Sequence, residues 1–387
     1  MLSLKHLVFI AGEESGDEHA AHLVNELRQK QPNLRFSGIG GHHLESAGVT
    51  LVSDLARFGL TGLLHVLRHL PALRQAFQAL KVHLRDNPPD LVILIDYPGF
   101  NLRLAKYIKL HYPNTPIIYY ISPQIWAWKA KRIEIIRRYV DHMAVIFPFE
   151  ETLYHNEQIP ATFVGHPLVA RIEAFKQNPP TRDSLHLPPH KRIIALLPGS
   201  RLHEIQHHLP LLCQTAIRLS AQWDDLHFVI PVAKSLSGDA VKRYWSHNAP
   251  DCTFLTGHAL EAVYCSDHVI VASGTASLEC ALLAKSMCII YKSSLLNYLV
   301  ASQVIRVRYL SLCNLLSNRM IVPELLQYDC TVTELTKVMT QLLIDTSFSH
   351  KIQRNLQAMR LNLSTQKASM ALSRLIETTL KLPGFDS

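Results

Sequence analysis

The first apolar run of the chain and the turn that follows it read His6-Leu7-Val8-Phe9-Ile10-Ala11 and Gly12-Glu13-Glu14-Ser15-Gly16-Asp17. A short, continuous apolar run is typical of a strand that is buried on both faces, and a helical pattern follows the turn. A strand, a glycine turn and a helix together present backbone N–H groups and a helix dipole to an anion. This stretch therefore predicts a nucleotide-type α/β fold.

The same arrangement recurs about a domain's length further on, where Ile193–Leu197 leads into Pro198-Gly199-Ser200-Arg201. Two such stretches predict two Rossmann-like, doubly wound α/β domains that face a central cleft, a geometry suited to joining two substrates. Neither turn has the Gly-x-x-x-x-Gly-Lys-Ser/Thr pattern, and Gly38-Ile39-Gly40-Gly41 lacks the third glycine of a dinucleotide turn. A P-loop NTPase and a simple dehydrogenase are therefore disfavoured.

Apolar runs alternate with helical patterns along the whole chain, as expected for parallel sheets. The predicted strands are His6–Ile10, Leu34–Ile39, Leu91–Ile95, Ile117–Ile121, Met143–Phe147, Thr162–Val164, Ile193–Leu197, Leu226–Ile230, Thr253–Leu255, His268–Val271 and Met287–Ile290. Prolines are concentrated between the two series, which indicates a linker. We expect a first domain at 1–168, a linker at 169–190, a second domain at 191–350 and a helical tail at 351–387.

Composition narrows the cellular setting of the chain. The seven cysteines include no C-x-x-C pair, so a reduced, cytosolic chain is expected without a disulfide framework or a zinc ribbon. The first apolar run is stopped by Glu13 and Glu14, too soon for a signal peptide, and no apolar stretch reaches the roughly 18 residues of a membrane span. The net charge of +8 suits anionic partners, although mere solubility would explain it equally well.

The best candidate for a catalytic base follows the run Leu91–Ile95, in the stretch Asp96-Tyr97-Pro98-Gly99-Phe100-Asn101. A carboxylate at the carboxyl end of a central strand lies where such folds place catalytic groups. Asp96 could accept a proton from a substrate hydroxyl within hydrogen-bond reach. The alternative is that Asp96 caps a helix beginning near Asn101.

Two loops of the second half are candidates for binding a phosphate-bearing ligand. Gly199 allows close backbone approach, Ser200 can cap the following helix, and Arg201 offers a planar fork suited to phosphate oxygens. The alternative is a tight turn with a surface arginine. The other loop is Ala272-Ser273-Gly274-Thr275-Ala276-Ser277-Leu278-Glu279, in which Glu279 could bind a vicinal diol such as ribose. Here the alternative is a glutamate favoured by the helix dipole alone.

One motif resembles a zinc site. His203-Glu204-Ile205-Gln206-His207 matches the H-E-x-x-H pattern. The motif directly follows the phosphate-type loop instead of lying in the middle of a helix, and Pro210 comes soon after it. Because the chain has 22 histidines, chance matches to the pattern are common. A zinc site is therefore disfavoured, and His42-His43 and His207-His208 are predicted to be exposed pairs.

A long basic stretch without acidic residues, Leu55–Arg85, interleaves apolar side chains with Arg57, Arg68, Arg74, Lys81 and Arg85. Part of it must pack on the sheet, but cationic amphipathic helices of this kind also lie on anionic membranes. A second basic patch is Trp126-Ala127-Trp128-Lys129-Ala130-Lys131-Arg132, followed by Arg137 and Arg138. A lipid-facing first domain is favoured over nucleic-acid binding, for which no motif is present.

Taken together, the motifs resemble those of the lipid-A-disaccharide synthase family of bacterial glycosyltransferases. The resemblance runs from the first strand to the helical tail and is specific because many segments occur in the right order. Besides the motifs quoted above, it includes Tyr120-Ile121-Ser122-Pro123-Gln124-Ile125-Trp126-Ala127-Trp128, Phe147-Pro148-Phe149-Glu150, Phe163-Val164-Gly165-His166 and Leu312-Cys313-Asn314-Leu315-Leu316.

The resemblance implies an inverting B-type glycosyltransferase that needs no metal and no cofactor beyond its UDP-sugar donor. It would transfer 2,3-diacylglucosamine from the UDP-sugar to the 6-hydroxyl of 2,3-diacylglucosamine 1-phosphate, giving a β-1,6 disaccharide 1-phosphate and UDP. The second domain would hold the donor, and the first would hold the acyl acceptor near the membrane. The implied location is cytoplasmic, at the periphery of the inner membrane of a Gram-negative-type bacterium, as a monomer or a dimer.

The resemblance also implies residue roles. Asp96 matches an essential aspartate, most plausibly the general base, and Arg201 matches an essential arginine. Glu204 matches a family glutamate, which makes the zinc-like pattern a coincidence. The residues expected to bind the donor are Ser15, Gly199, Ser200, Arg201, Ser273, Gly274, Thr275, Glu279 and Asn314.

Two positions depart from the family pattern. His65 stands where a glutamate is usual, and Gly99 where an aspartate is frequent; both lie in the acceptor half. A paralogue with an altered acceptor therefore stays open, as do a UDP-sugar epimerase of the same architecture and a zinc hydrolase that uses His203 and His207. A non-catalytic lipid- or nucleotide-binding relative is disfavoured by the joint presence of Asp96, Arg201 and Glu279.

Overall fold

A computed structural model describes residues 5–55, 70–123, 125, 132–293, 308–363 and 368–381. The chain forms two compact units. The first comprises Met1–Pro167 together with Leu363–Ser387, and the second comprises Leu168–Asn362. Each unit is built on a single parallel sheet with helices between consecutive strands, so the predicted α/β class is confirmed.

The sheet of the first unit has seven parallel strands in the order β3-β2-β1-β4-β5-β6-β7. The chain adds strands to one side of β1 as far as β3 and then to the other side from β4 onwards, so the strand order reverses between β1 and β4, as in doubly wound folds. The inner strands are mostly apolar and mostly buried, as expected where helices cover both faces of a sheet. The strands are β1 His6–Ala11, β2 Arg35–Gly40, β3 Thr50–Asp54, β4 Leu91–Ile95, β5 Ile117–Tyr120, β6 His142–Val145 and β7 Ala161–Phe163.

The sheet of the second unit has six parallel strands in the order β10-β9-β8-β11-β12-β13, with the same reversal between β8 and β11. The strands are β8 Arg192–Leu197, β9 Leu226–Val232, β10 Cys252–Thr256, β11 His268–Ala272, β12 Ser286–Tyr291 and β13 Glu324–Leu326.

Helices connect the strands and follow them. Along the described residues they are α1 Glu14–Lys30, α2 His42–Ser46, α3 Leu70–Asp86, α4 Pro98–His111, α5 Arg132–Tyr139, α6 Pro148–Asn156, α7 Pro167–Gln177, α8 Leu202–Ser220, α9 Gly238–Lys242, α10 Ala259–Cys265, α11 Thr275–Leu282, α12 Leu312–Leu316, α13 Val332–Ile344, α14 Thr346–Leu363 and α15 Ala368–Leu380. None of these is both long and apolar enough to cross a membrane.

Each of the eleven predicted strands overlaps an observed one, and the first half of the predicted linker at 169–190 is helical. That half lies in α7, where Pro167 takes the first helical position, at which proline is well tolerated. The rest contains a short 3-10 turn, Asp183–Leu185. The tail is helical as predicted, but its last described helix, α15, packs on α1 and completes the first unit.

Candidate active site

The loops after β1 and β4 lie next to each other at the carboxyl edge of the first sheet. Ala11 pairs with Ile95, so Gly12 and Asp96 each stand one residue beyond a paired position. This is the place where the strand order reverses, and ligands of doubly wound folds bind there. A Cβ on Gly12 would come within 2.3 Å of the Tyr97 ring, so only glycine allows this close contact between the two loops.

Asp96 leaves its strand in a left-handed backbone conformation. Its φ is 44°, and that of Tyr97 is 45°. Its N–H donates to the Tyr120 carbonyl at 3.0 Å. Its own carbonyl accepts from the Tyr119 hydroxyl at 2.5 Å and from Asn101 Nδ2 at 2.8 Å. Several bonds therefore hold a backbone conformation that non-glycine residues seldom adopt, a feature common at functional sites.

The carboxyl group of Asp96 does not cap a helix starting near Asn101. Helix α4 begins at Pro98, and Tyr97 occupies its N-cap position, so the capping alternative is wrong. Burial raises the pKa of Asp96, while the Tyr97 backbone N–H opposes that rise by bonding to the charged form. A carboxylate with a raised pKa is a stronger base than an ordinary aspartate.

Asp17, in the first turn of α1, holds the loop after β2. Asp17 is buried, and its carboxylate accepts from the backbone N–H groups of Gly41 at 2.7 Å and His43 at 2.9 Å. It thereby ties the loop after β2 to the start of α1. Ser15 is exposed in the first turn of α1, at the same edge as Asp96.

In the second unit, the loops after β8 and β11 are adjacent in the same way. Leu197 pairs with Val271, which places Gly199 level with Ser273 at the carboxyl edge where this sheet reverses. Ser273, Gly274 and Thr275 follow β11 and lead into α11. The structure therefore brings together, within this unit, all of the predicted donor-binding residues of these two loops.

Glu204 shapes the loop that contains Gly199. Its Oε2 accepts from the backbone N–H groups of Ser200 at 2.9 Å and Arg201 at 3.1 Å, and its Oε1 lies 3.3 Å from Arg201 Nη1. Helix α8 begins at Leu202, so its N-cap is Arg201, and the prediction that Ser200 caps it is wrong. A carboxylate thus occupies the two loop amides that were expected to receive a phosphate.

The zinc-like motif has no zinc-site geometry. His203 and His207 are exposed on α8, while Glu204 is bonded to the loop. Across the residues that the structure describes, no three His, Cys, Asp or Glu side chains cluster in a way that could hold a metal ion.

The prediction that His207 and His208 form an exposed pair is wrong, because His208 is fully buried. Its Nδ1 lies 2.6 Å from the Pro198 carbonyl, and its Nε2 accepts the Lys292 N–H at 2.9 Å. The second bond fixes the neutral tautomer that carries its proton on Nδ1. Burial lowers the pKa of His208, so the ring stays neutral and ties the Gly199 loop to the residue after β12.

Glu279 lies in the second turn of α11 and is mostly buried. Burial raises its pKa, and Arg171, whose Nη1 lies 3.2 Å from Glu279 Oε1, opposes that rise. Gly274 is the N-cap of α11, with a φ of 152°, and its carbonyl accepts from the Ser277 hydroxyl at 2.7 Å. A carboxylate near the positive end of this helix can accept hydrogen bonds from two neighbouring hydroxyls.

The side-chain amide of Asn314 makes all of its hydrogen bonds within the protein. Its Nδ2 donates to the Val322 carbonyl at 2.8 Å and to Glu324 Oε1 at 2.6 Å, and its Oδ1 accepts from the N–H groups of Ile321 and Val322. The residue is completely buried. The amide therefore shapes the segment that enters β13 and has no donor left for a ligand in this conformation, contrary to the predicted direct contact.

The predicted basic surface is described only in part. Residues 56–69, including His65, and the tryptophans Trp126 and Trp128 lie outside the described residues. On α3, Arg74 is exposed, whereas Lys81 lies 4.6 Å from the centre of the Tyr107 ring. On α5, Arg137 bonds to Glu134 and Glu157, which offsets its charge.

Comparison with known proteins identifies the family. A family model described as lipid-A-disaccharide synthetase matches residues 7–378. A lipid-A-disaccharide synthase 1 of Legionella pneumophila (strain Philadelphia 1) is 51% identical over 380 residues, which cover 98% of this chain and 99% of the relative. The chain belongs to the lipid-A-disaccharide synthase family. As a lipid-A-disaccharide synthase family member it is a glycosyltransferase, which confirms the predicted enzyme class.

Solved structures share the fold of this lipid-A-disaccharide synthase family member at low identity. The glycotransferase of kitacinnamycin has a TM-score of 0.66 and 14% identity, covering 97% of this chain and 99% of the other. The UDP-GlcNAc 2-epimerase of Neisseria meningitidis, bound to UDP-GlcNAc, has a TM-score of 0.60 and 12% identity, covering 98% and 100%. The likeness concerns the fold alone and confirms the predicted B-type glycosyltransferase architecture.

Three residues that support the candidate site were not predicted as such: Tyr119, Asn101 and His208. Asn101 was quoted only as part of a motif, and Tyr119 only as part of a strand. Tyr119 and His208 bond to residues distant in the sequence, and Asn101 bonds to the strand end five and six residues before it. No spacing pattern within the sequence signals these bonds.

Proposed function

We propose that this chain transfers 2,3-diacylglucosamine from its UDP-sugar to the 6-hydroxyl of 2,3-diacylglucosamine 1-phosphate. The products are the β-1,6-linked lipid A disaccharide 1-phosphate and UDP. The reaction is a single inverting displacement in which the acceptor hydroxyl attacks the anomeric carbon while UDP leaves. Family membership supports this reaction, and the residues at the two sheet edges supply groups suited to it.

The observation that carries the mechanism is Asp96, half-buried at the strand reversal of the first sheet with a raised pKa. At neutral pH its carboxylate can accept the proton of the attacking hydroxyl. General-base catalysis of this kind contributes roughly a hundredfold to ten-thousandfold. Neighbouring Ser15 offers a hydroxyl for orienting a ligand at the same edge.

The second unit is proposed to hold the donor. Arg201 reaches the diphosphate with its planar guanidinium and stabilises the charge that develops as UDP leaves, without a metal ion or a further cofactor. Gly199, Ser273, Gly274 and Thr275 line the adjacent loops, where the N-terminus of α11 also favours an anion. Glu279 accepts the hydroxyls of the ribose. Because Glu204 already holds the amides of Ser200 and Arg201, the Arg201 side chain supplies the principal contact of that loop.

The experiment combines defined acylated donor and acceptor with mass spectrometry of the product. Asp96→Asn keeps the shape of the side chain but removes the base, so kcat should fall about a hundredfold or more. UDP binding, measured by calorimetry, should persist. The matched control is Asp224→Asn, which makes the same change at an exposed turn before β9. Turnover that survives Asp96→Asn largely intact would reject Asp96 as the base.

A UDP-sugar epimerase is the second candidate, because solved epimerases share this fold. The two activities differ in their need for an acceptor. Incubation with the donor alone should leave the donor unchanged if the chain is a transferase. A new UDP-sugar formed under these conditions would favour the epimerase.

We place the enzyme at the cytoplasmic face of the inner membrane, attached peripherally. Helix α3 supports this location because it exposes Arg74 together with the apolar Val82. The protein should co-sediment with vesicles that carry anionic headgroups but not with neutral vesicles, and added salt should lower the bound fraction. Arg74→Glu should weaken sedimentation. Equal sedimentation with both vesicle types would contradict the electrostatic attachment.

A further inference from the structure

We propose that Asn101 and Tyr119 are positioning residues for the reaction: together they clamp the backbone carbonyl of Asp96 and thereby aim its carboxylate at the acceptor hydroxyl. Their role rests on the proposed function of Asp96 as the base. Neither side chain needs to touch substrate, since both act through the main chain at the end of β4.

The clamp consists of two buried donors on one oxygen. The Tyr119 hydroxyl lies 2.5 Å from the Asp96 carbonyl oxygen, and Asn101 Nδ2 lies 2.8 Å from it. A carbonyl oxygen has two lone pairs, and here both are used. Both side chains are fully buried, so water does not compete for these bonds. The second hydrogen of the Asn101 amide goes to the Ile95 carbonyl at 3.1 Å, which ties the last residue of β4 to the same side chain.

The clamp matters because the backbone it holds is otherwise unfavourable. Asp96 and Tyr97 are consecutive non-glycine residues in the left-handed region. Side chains of L-residues crowd the following carbonyl there, so the conformation persists only where the surroundings over-determine it. If the carbonyl of Asp96 were released, the positive φ of Asp96 could relax by rotation about its N–Cα bond. The Cα–Cβ bond that aims the carboxylate turns with that rotation.

A second observation concerns Asn101 alone. Among the described residues, its Oδ1 is a buried acceptor that has no hydrogen-bond partner. A buried polar atom without a partner is costly, and an apolar side chain of similar size would avoid the cost. The two bonds donated by Nδ2 to the end of β4 account for an amide at this position. The Asn101 side chain therefore fixes the strand end that bears Asp96, although its unpaired Oδ1 costs free energy of folding.

The test compares single variants with a double variant. Tyr119→Phe removes one oxygen without changing the ring, and kcat should fall about tenfold, the loss typical of one hydrogen bond. Asn101→Leu, which keeps the size of the side chain but removes both donated hydrogen bonds, should lower kcat further. The donor KM should change less than twofold, because the donor is bound by the other unit. The acidic limb of the pH–rate profile should move to lower pH, since a released carboxyl group becomes more exposed.

The double variant separates positioning from general damage. Adding Tyr119→Phe to Asp96→Asn should cause no further loss of kcat, because the clamp acts only through the Asp96 carboxylate. The matched control is Tyr154→Phe, which removes another buried hydroxyl of the first unit, bonded to Ser122 at 2.7 Å. It should lower the melting temperature comparably and leave kcat and the acidic limb unchanged.

The outcomes distinguish failure of the clamp from failure of the base. If Asp96→Asn abolishes turnover while Tyr119→Phe and Asn101→Leu keep the wild-type kcat and pH profile, the clamp is refuted and the base stands. Equal losses in Tyr119→Phe and Tyr154→Phe would also refute the clamp, because they would reflect stability alone. If Asp96→Asn stays active, the proposed function of Asp96 fails, and the clamp fails with it.

Discussion

Gly199→Ala is the substitution whose effect the structure defines most sharply. Gly199 has a φ of 123°, where side chains are strained, and a Cβ there would lie 2.4 Å from Glu204 Oε2 and 2.6 Å from Glu204 Cβ. Alanine would therefore both strain the backbone and displace Glu204. Displacement would break the bonds from Glu204 to the backbone N–H groups of Ser200 and Arg201.

The magnitude follows from these two effects. Backbone strain of this kind costs about 1–3 kcal/mol. The two bonds to a charged carboxylate add about 1–2 kcal/mol once their exposure to solvent is discounted. A loss of about 2–5 kcal/mol lowers the melting temperature of a unit of this size by about 5–15 °C. The donor KM should rise about tenfold, since Arg201 leaves its position, which corresponds to about 1.4 kcal/mol of binding.

The assay is a thermal melt followed by donor-dependent initial rates. Gly238→Ala is the matched control, because Gly238 begins α9 and a Cβ there would meet nothing within 4 Å. That variant should be as stable as the wild type, or slightly more stable, since alanine restricts the unfolded chain. If Gly199→Ala melts and binds donor like Gly238→Ala, the account of this loop is wrong.

Other substitutions probe the remaining features of the two sheet edges. Arg201→Ala should raise the donor KM about tenfold to a hundredfold and lower kcat, with only part of the loss recovered in Arg201→Lys; unchanged kinetics would reject its phosphate role. Gly99→Asp should stabilise the first turn of α4 by about 0.5–1 kcal/mol, because a Cβ meets open space there and the helix dipole favours an acid. The new charge should also move the acidic limb of the pH–rate profile to higher pH by raising the pKa of Asp96, and an unmoved limb would contradict this. Burial lowers the pKa of His166 to about 3, so its folded form stays neutral. The folded state therefore loses free energy of unfolding only as the pH falls from 6.5 towards 3, where the unfolded chain binds a proton on His166 and the folded chain does not; the loss is about 2 kcal/mol at pH 5. The melting temperatures of the wild type and His166→Asn should therefore converge in acid. Melting curves that stay parallel as the pH falls would refute this.

Strands buried on both faces could be predicted from the sequence because they appear there as runs of consecutive apolar residues. β3 and β13 were missed: β3 is only half-buried, and β13 spans three residues with a single buried side chain, Leu325. The position of Asp96 also followed from the sequence, since the end of a central strand in such a fold is a known place for ligands.

The errors share a cause in tertiary structure. His208 reads as one of two adjacent polar residues, yet it lies on the buried face of α8, where it can reach two loop atoms. Asn314 was assigned to a ligand because the family motif includes it, whereas its four hydrogen bonds all go to the protein. Spacing along the chain indicates which face of an element a residue occupies but not which distant atom it meets.

The packing of α15 on α1 has a consequence for biosynthesis. Residues 168–362 are contiguous and can condense as soon as they leave the ribosome. The first unit, although its sheet is translated earlier, lacks a covering helix until residues 368–380 emerge. Its nascent form would keep one flank of α1 uncovered throughout synthesis of the other unit, so the half translated first is the half that matures last.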